Sequence, residues 1–111
     1  MTQAELEMRL AVWQKRLRCQ DWIITARMVE DLQSEGGDVY GLCWPNRSGP
    51  DAKISIRSNP CTDGTTQPYE WTLIHELLHV LLPKVKPKGH EEPAINKIAW
   101  ALYRAYGPDR L

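Results

Sequence analysis

Leu73-Ile74-His75-Glu76-Leu77-Leu78-His79-Val80-Leu81-Leu82 carries three polar side chains inside an otherwise apolar run. On an α-helix, residues four apart stand about 40° from each other around the axis. His75 and His79 therefore share a face, and two imidazoles so placed reach one tetrahedral metal ion. Glu76, next to the first histidine, projects beside that point, where it can take a proton from a water molecule and later deliver it to a leaving group. At ordinary residue usage, His, Glu and His at this spacing arise by chance in roughly one of several hundred chains this short. The apolar residues around the triplet predict a buried helix that turns only its polar side chains toward a cleft. Pro68 suits its first turn and Pro83 its stop. Two satisfied core histidines beside a surface glutamate would be the plainer account, but three polar groups in this order on so apolar a helix argue against it.

Outward from this helix, the chain reads as one α+β domain. Its 111 residues are 42% hydrophobic and 25% charged, which allows a single modest core. Thr2-Gln3-Ala4-Glu5 fits a capping box, and Leu6, Leu10, Trp13 and Leu17 recur behind it at helical spacing. This predicts an amphipathic helix of about four turns, with Glu5, Glu7, Arg9, Lys15 and Arg16 mostly toward water. Strands are expected at 22–29, 39–44 and 52–57, where β-branched and aromatic residues gather or apolar positions alternate. Ser34 to Asp38 reads as a turn, and the short connections favour antiparallel pairing. A final helix opens near His90-Glu91-Glu92-Pro93, presents Ile95, Ile98, Ala99, Leu102 and Tyr106 as its stripe, and ends at Gly107-Pro108.

The formal net charge is zero and no apolar run is long enough for a bilayer, so neither nucleic acid nor membrane is an expected partner. Met1 to Glu5 is polar and acidic, unlike a secretory leader, which makes the cytoplasm the expected compartment. A monomer is the expected state. Cys19, Cys43 and Cys61 form neither a CxxC pair nor an even set, against a disulfide framework. They read as small apolar fillers, although Cys61 lies on the loop before the metal helix, where a thiolate would be able to cap an ion. The five tryptophans read mainly as core.

A catalytic zinc needs a third protein ligand and an open fourth position. His90, Glu91 and Glu92 are the candidates. Glu92 is favoured, because Asn96 follows it on the same helix face, where its amide can fix a ligating histidine, and Ala99 continues that face inward. Pro93 disfavours helical geometry at Glu92, so His90 and Glu91 stay open.

His75-Glu76-Leu77-Leu78-His79 followed by Glu92-Pro93-Ala94-Ile95-Asn96 resembles the gluzincin pattern, in which HExxH precedes a glutamate ligand on a second helix with Asn or Asp four residues on. The brevity and the order of elements are similar to the minigluzincins, and the spacing of Glu92, Asn96, Ile98 and Ala99 to the ImmA/IrrE-like peptidases. The resemblance implies a zincin-like fold: an N-terminal backing helix, a small, largely antiparallel three-stranded sheet, the HExxH helix and a glutamate helix. It implies Zn²⁺ held by His75, His79 and Glu92, with Asn96 behind them. The activity it implies is hydrolysis of a peptide or protein substrate by a metal-activated water, with Glu76 as base and then acid. The substrate would lie along an upper edge strand, expected at Ala52 to Arg57. Latency is also implied, through the tail Gly107 to Leu111 or the N-terminal helix. The chain departs from the pattern in having Pro93 inside the ligand motif and no assigned oxyanion donor, for which Tyr69 and Tyr103 are the candidates. The alternatives are a SprT-like, nucleic-acid-associated protease with His90 as third ligand, and an inactive zinc-binding interaction domain.

Overall fold

The computed structural model describes residues 1–46, 48–82 and 91–106, with Glu91 as backbone only. Helix α1 spans Gln3–Arg16, and its capping box is formed: the Thr2 hydroxyl accepts from the Glu5 N–H, and the Glu5 carboxylate accepts from the Thr2 N–H, each at 3.1 Å. Strand β1 (Ile23–Val29) follows, then a two-stranded hairpin of β2 (Gln33–Ser34) and β3 (Gly37–Asp38). Gly37, with φ of 106°, supplies the left-handed residue that the expected turn needs. Strands β4 (Gly41–Pro45) and β5 (Asp51–Arg57) lead to α2 (Tyr69–Leu81) and α3 (Glu91–Tyr106).

The main sheet has the order β1-β5-β4 and is mixed. β4 pairs with β5 antiparallel, as the short connection at 46–50 dictates. β1 pairs with β5 in parallel, from Ile23 opposite Asp51 to Val29 opposite Arg57, which corrects the largely antiparallel expectation. Residues 30–40 make the difference. This connection is long enough to carry the chain past one strand's width, so β4 enters beyond a gap that β5 then fills. β5 alternates Ala52, Ile54 and Ile56, all buried, with more polar residues and so occupies the centre, which leaves β4 and not Ala52 to Arg57 on an edge.

One face of the sheet is covered by helices. Leu6, Leu10 and Trp13 of α1 and Leu73, Ile74 and Leu77 of α2 join Ala26, Ile54 and Ile56 in a single core. Arg9 belongs to this core, contrary to the solvated position expected for it. It lies on the same helical face as Leu6, Leu10 and Trp13, and its guanidinium meets the carboxylate of buried Glu70 at 2.7 Å. The indole N–H of Trp13 donates to the same carboxylate. α2 is thus walled by the sheet, α1 and α3, and turns only one polar strip outward. In α3, Ile95 and Ala99 are buried while Ile98 and Tyr106 are exposed, and Trp44 and Trp100 also stand at the surface. No described helix is long and apolar enough to cross a membrane.

Candidate metal centre

α2 begins directly after Pro68 and holds its helical spacing through the triplet. His75 Nε2 and His79 Nε2 come within 3.1 Å of each other. The Glu92 carboxylate closes on both, at 3.3 Å from His75 Nε2 and 2.6 Å from His79 Nε2. Donors about 2.0–2.1 Å from a tetrahedral zinc stand roughly 3.3–3.4 Å from one another. Two of the three separations are near that edge length, and the third is a charge-assisted hydrogen bond. Among the described residues, His75, His79 and Glu92 form the one cluster of three such donors.

Glu92 comes from the first turn of α3, which starts at Glu91 despite Pro93. A proline is tolerated there because first-turn N–H groups have no intrahelical acceptor to lose. Buried Ile95 and Ala99 anchor the helix against the core, which aims Glu92 at the two rings. His90 and the Glu91 side chain lie outside the described residues, as does the tail 107–111.

Behind the rings, His75 Nδ1 and Asn96 Oδ1 are sealed from solvent, and neither completes a hydrogen bond. Asn96 is nevertheless close enough to favour the protonated form of His75. The two atoms are the complementary halves of one bond. A ring bound to a metal through Nε2 carries its proton on Nδ1 and offers Asn96 the donor it lacks, so the residues fit an ion at this place. Burial also holds His75 below the usual histidine range, against the opposing pull of Glu92, and so favours the neutral ring that ligation requires. The Trp71 ring, 5.0 Å from that of His75, packs on its flank.

Glu76 is buried, and burial pushes its carboxyl up to about 7. The neighbouring His79 and a hydrogen bond from Cys43 pull it down, and Glu92 pushes it up. A carboxyl in that range exchanges a proton readily near neutral pH, as a general base and acid must. β4 passes close by: a Cβ on Gly41 would stand 2.8 Å from Thr72 Cγ2 and 3.0 Å from Glu76 Cγ and Oε2.

These groups line a cleft of about 600 Å³ whose far wall is built from β4 and the small hairpin, including Asp38, Tyr40 and Leu42. No α1 residue is among those that line it. Cys61 is buried in its own loop away from the cleft, and the cysteine at the site is Cys43. Tyr69 donates to the Ser58 carbonyl and Tyr103 packs edge-on against Trp100, so neither expected oxyanion donor lines the cleft. Gly41, Cys43 and Trp71 are the site residues that the sequence reading missed. Their only trace in the sequence is the two-residue spacing of Gly41 and Cys43, which places both on one face of a strand. Compared with known proteins, the chain matches no family model, no curated protein and no solved structure.

Proposed function

We propose that this protein is a zinc-dependent metallopeptidase of gluzincin type. The observation that carries the proposal is the convergence of both ring Nε2 atoms and the Glu92 carboxylate beside the buried carboxyl of Glu76, on the wall of an open cleft. His75, His79 and Glu92 would hold the ion, which when bound polarises a carbonyl and acidifies water. Glu76 takes the proton of the attacking water and returns it to the leaving amine, and its raised proton affinity suits both halves of that cycle. Asn96 keeps the His75 ring turned toward the ion. Among the described residues β4 pairs only with β5, so its outer edge offers backbone groups to an extended peptide. The substrate strand, expected at Ala52 to Arg57, is accordingly reassigned to β4.

Glu76→Gln tests the assignment. The variant should bind zinc as the parent does while peptide turnover falls by at least about 100-fold. Undiminished turnover would remove Glu76 from the reaction. Failure of the zinc-loaded parent to cleave any member of a peptide library, with and without residues 107–111, would favour a zinc-binding interaction domain instead.

A further inference from the structure

We propose that Cys43 is a positioning residue for Glu76: its thiol, delivered by β4, holds the carboxyl from one side while the bare Cα of Gly41 lets the strand close on it from another. The inference rests on the hydrolytic reading of this site. Gly41 lies opposite Ile56 and Cys43 opposite Ile54, both partners buried, so the two residues occupy the sheet face that packs on α2. From there the Cys43 thiol hydrogen-bonds the Glu76 side chain, and Gly41 leaves no room for a Cβ beside Glu76 Oε2. A buried carboxylate without a donor would be costly and free to rotate away from the reacting water. An S–H is a weak donor, so it orients the group without suppressing its basicity as an ammonium would. A cysteine that only filled space would need no partner of this kind.

The test compares Cys43→Ala with Cys43→Ser in the zinc-loaded protein. Loss of the donor should lower kcat about tenfold and leave KM within about twofold, with zinc content unchanged. Cys43→Ser keeps a donor and should recover kcat to within about threefold of the parent. A space-filling role predicts the reverse order, because alanine suits an apolar pocket better than serine does. A second readout needs no activity. In metal-free protein with Cys19 and Cys61 replaced by alanine, the remaining S–H stretching band should move to higher frequency when Glu76→Ala removes its acceptor. An unmoved band, or alanine turning over as fast as serine, overturns the proposal. A shifted band in a protein that hydrolyses nothing overturns the positioning role through the reading it rests on, and the shift separates that failure from loss of the contact.

Discussion

A guanidinium and a carboxylate taken out of water together cost several kcal/mol each unless each finds well-placed partners. Arg9 and Glu70 satisfy that condition: Arg9 Nε and Nη2 donate to the carboxylate at 2.9, 3.0 and 2.7 Å, and the Trp13 indole adds a further donor. Removing one partner strands the other charge inside the protein. Glu70→Ala should therefore cost about 3–5 kcal/mol in urea unfolding, and replacing both residues by methionine should cost less than the two single changes summed. Equal, small losses would mean the pair is hydrated in solution. The burial of Arg9 was hidden in the sequence because its partner lies 61 positions away. The triplet His75, Glu76 and His79 was legible for the opposite reason, since helical geometry relates those residues within one turn.

Two elements, β4 and α2, approach so closely that Gly41 is required at their crossing. Gly41→Ala would press its methyl group on Thr72 and Glu76, so the strand or the Glu76 side chain must yield. Zinc binding should persist in this variant, because the proposed ligands stand on α2 and α3, while kcat falls by about tenfold or more. Unchanged kcat would mean that the strand gives way and Glu76 does not. Helix boundaries were readable from local signals: the Thr2 capping box, Pro68 before α2, and acidic residues opening α3. Strand order was not, because the parallel pairing of β1 with β5 follows from how the connection at 30–40 crosses the sheet, and periodicity carries no record of that path. The same gap misassigned the edge strand and hid the place of Cys43 at the cleft, to which nothing in the chain near His75 points.

Across the whole molecule, the hairpin and the loop at 58–67 are tied by Asp38, which accepts from the Thr62 hydroxyl and from its N–H at 2.7 Å. These bonds, the hydroxyl first, hold the Asp38 carboxyl down at about 2. A folded value below the unfolded one of about 3.9 stabilises the protein fully above that pH and ceases to do so as pH falls toward 2. Asp38→Asn should thus be less stable than the parent at neutral pH, with the gap closing between about pH 4 and pH 2 in urea titrations. A gap independent of pH would show that the bonds do not discriminate the charged form. Asp38 also lines the cleft wall, so this tie shapes the space facing His75, His79 and Glu92. The three proposed ligands come from two helices, and their joint hold on an ion is the claim on which the functional account stands. Zinc content after dialysis, compared across single variants, tests it most directly. The account predicts one zinc per chain, retained by Glu76→Gln and His90→Ala, with affinity lowered by more than about 100-fold in His75→Ala, His79→Ala and Glu92→Ala. Parent-like zinc binding by Glu92→Ala, or a parent protein that takes up no zinc, would contradict it.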